Sequence, residues 1–224
     1  MKTKLSFCIF LLLLAFSCKD DETNPSNDPP PGTVTDIEGN SYHTVTINDQ
    51  IWMVENLKTT KYNDGTSIPL ITSAIAWEGS TTPGYCWYNN DQATYGALYN
   101  WHVVNTGKLA PTGWRVATDT EWLLMSTYLG GQNAAGAKLK EAGTTHWIAP
   151  NTGATNETGF TALPSGIRYI MAGYTNVGEA TTWWTSSDST ATTAVVYGIQ
   201  YNYTKLVREE QYKWVGYSVR CIKD

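Results

Sequence analysis

The chain has 224 residues, enough for one large domain or two small ones, and 42% of them are hydrophobic while 16% are charged. This composition excludes a disordered chain and a coiled coil. The 15 Lys and Arg residues against 20 Asp and Glu residues give a net charge of -5, so the chain lacks the basic surface that nucleic-acid binding requires.

The amino terminus has the pattern of a lipoprotein signal peptide. Lys2 and Lys4 precede an apolar run that is shorter than the roughly 20 residues of a membrane-spanning helix. Cys18 ends this run as in the lipobox of bacterial lipoproteins, although Phe16 is bulkier than the residue usual at its position. We expect residues 1–17 to be removed and Cys18 to carry the lipid. An ordinary signal peptide followed by a chance cysteine is the alternative.

The composition changes after Cys18. Residues 19–22 read Lys-Asp-Asp-Glu, which resembles the surface-export signal of Bacteroidetes lipoproteins, a solvated charge cluster being the alternative. Residues 18–33 are rich in Asn and Pro without apolar periodicity, which predicts a disordered tether. We therefore expect an outer-membrane protein that faces the cell exterior and contacts the membrane through its lipid anchor only.

Residues 34–224 contain no second linker and are expected to form one domain. Their first part predicts a strand meander, with β-prone runs in 34–47 and 51–54 that are separated by turn residues. Apolar residues at offsets near three and four then predict one face of a helix within residues 91–104, although Gly96 weakens this pattern.

The next segment has the strongest helix signal in the chain. Thr118 and Glu121 form a capping-box pattern at a helix start, and Gly130 with Gly131 supplies the stop. A shorter helix is predicted for 134–142. Five short β-prone runs follow, at 161–163, 167–171, 182–185, 194–201 and 215–222. The order of strands, helices and strands predicts an α+β domain.

A series of motifs resembles those of the Fibrobacter succinogenes major paralogous domain in the same order, over nearly all of residues 34–224. They are Asp36-Ile-Glu-Gly-Asn-Ser-Tyr, Gln50-Ile-Trp-Met-Val-Glu-Asn-Leu-Lys-Thr-Thr, Tyr95-Gly-Ala-Leu-Tyr-Asn-Trp, Pro111-Thr-Gly-Trp-Arg-Val, Thr118-Asp-Thr-Glu-Trp, Thr158-Gly-Phe-Thr-Ala-Leu-Pro-Ser-Gly, Trp184-Thr-Ser-Ser and Gly216-Tyr-Ser-Val-Arg-Cys. The resemblance implies a domain of secreted and lipid-anchored proteins whose general role is not established.

Two of these motifs also resemble the formylglycine-generating-enzyme branch of the C-type-lectin-like fold. The resemblance implies a single, loop-rich C-type-lectin-like domain with two or three helices and short, twisted antiparallel sheets. Enzymes of that branch need paired reactive cysteines near the carboxyl end, where this chain has only Cys221. A fold alone does not give a function, and we expect no enzymatic activity.

The cysteines left after the leader are Cys86 and Cys221. In an exported domain they could form a disulfide, or remain two buried free thiols that pack as small hydrophobic groups. The family often has a cysteine just before its Pro-x-Gly-Trp motif, where this chain has Ala110, so the usual partner of one cysteine is missing.

No motif for catalysis or tight metal binding stands out. His43, His102 and His146 are too far apart in sequence for a zinc pattern, and the Gly-x-Ser-x-Gly elbow is absent. Asn89-Asn90-Asp91 offers oxygen ligands for calcium, but an Asn-rich turn explains the same residues. We therefore expect no cofactor and no metal site, with calcium an unsupported possibility.

Aromatic residues crowd the carboxyl-terminal part of the chain. We select Trp183, Trp184, Tyr197, Tyr201, Tyr203 and Trp214 as candidate ligand-binding residues. Alternation along a strand would place 197, 199, 201 and 203 on one face. Aromatic rings stack on sugars and anchor protein interfaces, but they also fill the cores of loop-rich folds.

The sequence thus predicts a non-catalytic surface protein that binds a glycan or a cell-surface protein through this aromatic region. A structural or adhesive component of the cell surface is the alternative, and an enzyme of the formylglycine-generating type is less favoured. A glycan module predicts exposed aromatic rings that line a groove. An adhesin predicts a larger apolar patch, and an enzyme predicts a pocket with a carboxylate or histidine of perturbed pKa.

Overall fold

The computed structural model describes residues 32–88, 94–169 and 173–224. The expected signal peptide, the lipidation site at Cys18 and the possible calcium ligands Asn89-Asn90-Asp91 lie outside these residues. Within the described part of the chain, no helix has the length and apolar character needed to cross a membrane.

Strands account for most of the regular structure in the described residues. They are β1 (Thr33–Thr35), β2 (Ser41–Ile47), β3 (Gln50–Met53), β4 (Tyr85–Trp87), β5 (Ala97–Tyr99), β6 (Trp114–Val116), β7 (Ser165–Tyr169), β8 (Gly173–Val177), β9 (Ala180–Asp188), β10 (Thr193–Gln200), β11 (Val207–Tyr212) and β12 (Cys221–Lys223). The first strand therefore begins one residue inside the segment expected to be a tether. The predicted meander is present as β1, β2 and β3.

These strands form three sheets. The first has the order β1-β2-β3-β12-β6, so the carboxyl-terminal strand pairs with the amino-terminal meander. The second has the order β11-β10-β9-β7-β8, and a small third sheet pairs β4 with β5. Apart from the parallel contact of β7 with β9, the strand pairs are antiparallel. Together with the helices, this arrangement confirms an α+β domain.

The helices of the described residues are α1 (Ala74–Trp77), α2 (Trp101–Val104), α3 (Asp119–Tyr128) and α4 (Gln132–Leu139). The capping box predicted for α3 is confirmed. The Thr118 hydroxyl accepts a hydrogen bond from the backbone N–H of Glu121 at 3.3 Å, and the Glu121 carboxylate accepts one from the N–H of Thr118 at 2.7 Å. Helix α4 ends before the predicted boundary because Lys140 has extended backbone angles.

The helix predicted for residues 91–104 is wrong for most of its described part. Ala97–Tyr99 is strand β5, and only Trp101–Val104 is helical. Gly96 explains the difference because its φ of 78° lies in the left-handed region, and a Cβ there would lie 2.8 Å from the carbonyl oxygen of Leu57. The apolar residues of this segment are therefore buried by pairing with β4 rather than by one face of a helix.

The core is built from aromatic rings on both sides of the second sheet. Trp122 on α3 stacks on Trp183 of β9 and on Tyr197 of β10, with ring centroids 5.2 and 5.4 Å apart. On the opposite face of the sheet, Trp184 packs edge-on against Tyr217. Each of these rings is buried. The alternation of side chains along β9 and β10 sends successive residues into the two halves of the core.

Candidate functional site

Three of the six aromatic residues selected from the sequence are core residues. Trp183, Trp184 and Tyr197 have no exposed surface, so the expectation that they contact a ligand is wrong. Their burial is favourable because each polar tip has an internal partner. Trp183 donates to the side-chain oxygen of Asn56 at 2.8 Å, and Trp184 donates to the carbonyl oxygen of Tyr99 at 2.8 Å.

The predicted alternation of 197, 199, 201 and 203 on one face also fails. Strand β10 ends at Gln200, so the parity of its side chains does not continue into the following turn. Tyr201 is half-buried against the core beside α3 and α4, whereas Tyr203 lines a cleft on the other face of the second sheet. Partial burial raises the pKa of Tyr203, so its hydroxyl stays protonated at neutral pH.

Cys86 and Cys221 are free thiols, so the disulfide alternative is wrong and the buried-thiol alternative is confirmed. Cys86 packs with Trp77 and Leu98, whereas Cys221 belongs to the larger cluster between the sheets. Burial raises the pKa of the Cys86 thiol to about 12 and that of Cys221 further still. Both sulfur atoms are therefore protonated and act as packing groups.

Trp214 is the selected residue that reaches an exposed aromatic surface. Its ring lies between those of Tyr169 and Tyr212, with centroid separations of 5.5 and 6.0 Å. The ring planes differ by 30° and 12°, so the three rings are close to parallel. Tyr169 is 36% exposed and Tyr212 is 50% exposed. We call these three residues the aromatic row.

Backbone pairing brings the aromatic row together. Tyr169 ends β7 and Tyr212 ends β11, two strands that are separated in the second sheet by β9 and β10. The backbones of Arg168 and Gly216 exchange two hydrogen bonds, of 3.0 and 2.8 Å, which hold the loop after β11 against β7. Trp214 precedes this bridge and therefore fills the space between the two tyrosines.

A groove with a cavity of about 290 Å³ runs beside the aromatic row. Tyr212 and Trp214 form its apolar wall. Its remaining wall consists of Gly79, Ser80, Thr81, His102, Ala191, Thr192 and Lys213. We call this cavity the aromatic groove. Hydroxyl groups and a ring nitrogen next to aromatic rings are a combination that suits a neutral polar ligand with an apolar face.

Lys213 supports the groove rather than supplying a free charge to it. Its Nζ donates to the carbonyl oxygen of Thr190 at 2.8 Å and lies 2.7 Å from the Asp188 carboxylate. The same ammonium lies 4.5 Å from the centre of the Trp101 ring, a cation–π contact. The residue is buried, and these contacts fix the backbone between Tyr212 and Trp214.

His102 contributes a neutral imidazole to the aromatic groove. Burial lowers the pKa of His102, and the positive charge of Lys213 lowers it further. At neutral pH the ring is therefore uncharged and has one hydrogen-bond donor and one acceptor. A hydrogen bond with the backbone of Ser80 occupies one of these two groups, so the ring has one polar group left for a sugar hydroxyl.

A second cavity, of about 160 Å³, lies on the face of the second sheet opposite α3, and we call it the sheet cleft. Tyr203 and Tyr217 line it together with polar residues of the strands, which include Thr182, Gln200, Glu209 and Gln211. Gly198 lies in the floor, where a Cβ would come within 3.0 Å of the Thr182 hydroxyl oxygen. The sheet cleft is more polar than the aromatic groove.

Sequence reasoning missed Tyr169 and the wall residues of the aromatic groove. Tyr169 was part of a predicted strand, but its contact with Trp214 depends on the Arg168–Gly216 bridge between distant segments. His102 was considered only as a zinc ligand. Among the described residues, no group of three or more His, Cys, Asp and Glu side chains is placed to hold a metal ion.

Comparison with known proteins gives a family but no close relative of known function. No curated protein and no solved structure matches the chain significantly. Residues 45–223, from the second strand of the first sheet to β12, match the Fibrobacter succinogenes major domain. The match covers most of the chain and all of the cavities described above, and the chain therefore belongs to the Fibrobacter succinogenes major domain family.

Proposed function

We propose that this protein is a non-catalytic glycan-binding module, that the aromatic groove is its ligand site, and that a lipid on Cys18 holds it on the outer face of the outer membrane. The observation that carries the proposal is the aromatic row, in which two exposed tyrosines flank a tryptophan beside a groove. The C–H face of a sugar ring packs on aromatic rings, and its hydroxyl groups need nearby polar partners.

The polar wall of the groove supports a glycan more than an apolar peptide. Ser80, Thr81 and Thr192 line it together with the neutral ring of His102. The ammonium of Lys213 is paired with Asp188, so the wall has no unpaired charge that would select an ionic ligand.

We also propose that the α+β domain has a C-type-lectin-like fold. Short antiparallel sheets, the pairing of β12 with β3 and the two helices packed on one side of the second sheet support a C-type-lectin-like fold. That fold presents loops and a sheet face to ligands in many binding proteins, but the aromatic groove carries the functional argument here.

A glycan-array screen tests the proposal. The protein starts at Lys19, which keeps every residue that the structure describes, and is screened with and without calcium. We expect binding that falls about tenfold in Tyr212→Ala, since loss of one stacked ring costs about 1 to 1.5 kcal/mol. Tyr128→Ala is the matched control because Tyr128 is 61% exposed on α3, far along the chain from the groove.

The array distinguishes the remaining hypotheses. Loss of binding in Tyr203→Ala but not in Tyr212→Ala would move the site to the sheet cleft. Equal binding by Tyr212→Ala and the wild type would refute the aromatic groove. If neither calcium condition gives binding to any glycan, the adhesin hypothesis replaces the glycan module, and a partner protein becomes the next target of search.

A further inference from the structure

A third cavity, of about 210 Å³, lies in a different part of the domain and shares no lining residue with the aromatic groove or the sheet cleft. It lies where the end of β3 meets the segments that carry Glu141 and Thr161. Its floor contains Arg220, which precedes β12, and we call it the Arg220 cavity.

Arg220 is buried, with 1% of its surface exposed, and has no carboxylate partner within ion-pair distance among the described residues. Its guanidinium donates to the side-chain oxygen of Asn56 at 3.0 Å, and the other acceptors are the backbone carbonyls of Met53, Phe160 and Thr161. Four acceptors for five N–H groups leave one donor unassigned.

The positive charge of Arg220 is therefore not neutralised by an ion pair among the described residues. Neutral acceptors and the ring of Phe160, 4.0 Å from the guanidinium carbon, solvate the charge without cancelling it. Burial lowers the pKa of Arg220 to about 9, with Glu55 opposing that shift. A buried cation of this kind favours an anion in the adjacent space.

The Arg220 cavity also contains two carboxylates and a second cation, and they differ in whether they have a partner. The carboxylate of Glu141 is 2.9 Å from the Nδ1 of His146, and that of Glu55 is 2.7 Å from the Nδ1 of His43. Lys58 lines the cavity without an ion pair among the described residues. Each carboxylate therefore has a histidine partner, which for Glu55 lies on the exposed surface, whereas neither Arg220 nor Lys58 forms an ion pair among the described residues.

The other lining residues of the Arg220 cavity favour an anion with an apolar part. Val54 and Leu163 supply apolar surface, and the ring of Tyr95 packs edge-on against His146. A doubly charged phosphate or sulfate would be repelled by the nearby glutamates and could not use this apolar surface. A cavity of about 150 Å³ accommodates benzene, so the volume here suits a single ring with a small substituent.

We propose that the Arg220 cavity binds a small organic carboxylate, with the carboxylate directed to Arg220 and Lys58 and its hydrocarbon body against Val54 and Leu163. Guanidinium and ammonium groups form strong charge-assisted hydrogen bonds with a carboxylate. This site is independent of the proposed glycan site, because no residue is common to the two cavities.

Benzoate is the test ligand, added to the protein that starts at Lys19. Thermal unfolding is followed in sodium benzoate, benzyl alcohol, benzylammonium chloride and sodium sulfate, each compared with sodium chloride at equal ionic strength. We expect a rise in melting temperature with benzoate only. Amide chemical shifts in an NMR titration should change at residues around the cavity, including Lys58 and Thr161.

Variants locate the site and leave Arg220 unchanged, since its loss would disturb folding. Lys58→Met should weaken benzoate binding about three- to fivefold, as expected for one partly exposed charge pair. Lys61→Met, with the same change of charge outside the cavity, should not. Leu163→Trp should abolish binding by filling the space, and Tyr212→Ala should leave it intact.

Several results would overturn the proposal. Benzyl alcohol that stabilises as well as benzoate would mean an apolar cavity without anion recognition, and sulfate that does so would mean a general salt effect. The proposal would also be rejected if Lys58→Met and Lys61→Met bound benzoate with equal affinity. The same holds if benzoate changed amide chemical shifts only at residues outside the cavity. None of these results bears on the glycan array, so the two proposals fail separately.

Discussion

Replacing Lys140 by Met is expected to change how the stability of the domain depends on pH. Lys140 follows α4, and its side chain is buried. The Nζ donates to the backbone carbonyls of Thr152, Gln200 and Tyr203 at 2.9, 3.2 and 3.1 Å, and no carboxylate pairs with it among the described residues. The ammonium therefore joins α4 to the turn after β10 at the cost of losing its hydration.

The size of this pH-dependent change in stability follows from the pKa of Lys140. Burial lowers the pKa of Lys140 from 10.5 to about 8. Between these values the unfolded chain binds the proton and the folded chain releases it, so the unfolded state binds more protons and stability rises with pH. The destabilising effect of the charge is complete below pH 8 and is relieved as the pH rises toward 10.5. From pH 7 to pH 9 the gain is about 1.3 kcal/mol by linkage.

Urea unfolding at pH 7, 8 and 9, with a reducing agent present, measures this gain. The free energy of unfolding of the wild type should rise by about 1.3 kcal/mol relative to Lys140→Met over this range. Cysteine and tyrosine titrations occur in both proteins and cancel in the difference. Lys205→Met is the control because Lys205 is exposed, and it should show no pH-dependent difference. A constant difference between wild type and Lys140→Met from pH 7 to 9 would refute the reasoning.

Three further predictions concern the fold. Thr118→Ala removes the hydroxyl of the capping box and should cost about 1 kcal/mol in urea unfolding. Gly136→Ala should lower stability by about 1 to 3 kcal/mol, because the new Cβ would lie 2.2 Å from the carbonyl oxygen of Lys205; an unchanged urea midpoint would contradict the close packing of α4. Since Cys86 and Cys221 are free and buried, a thiol reagent should label them only after unfolding, and reductant should not shift the midpoint.

Local signals in the sequence predicted local structure well. The capping box predicted α3 because both of its hydrogen bonds lie within four residues of the helix start. The meander was predicted because turn residues separate short β-prone runs. The predicted helix at 91–104 failed where one local signal, Gly96, competed with apolar spacing, and the close approach of the Leu57 backbone favours the strand.

Long-range pairing was not readable from the sequence, and it determines which aromatic residues are exposed. Trp183 and Trp184 are adjacent in β9 and both are buried, because each face of the second sheet is covered by another layer of the core. Strand alternation normally predicts one exposed residue of such a pair. That rule fails for a strand that is covered on both faces of its sheet. Whether a strand is covered in this way can be predicted only when the topology of the whole domain is known.

The position of the aromatic row also depends on pairing between distant segments of the chain. Tyr169 and Tyr212 lie at the ends of β7 and β11, and both rings are exposed. Arg168 beside Tyr169 is buried, whereas most of β11 is exposed along with Tyr212. Trp214 contacts both because the Arg168–Gly216 bridge returns the chain to β7. The excess of aromatic residues near the carboxyl end thus has two origins. Trp183, Trp184, Tyr197 and Tyr217 are buried in the core, whereas Tyr212 and Trp214 form with Tyr169 the surface on which the proposed glycan site depends.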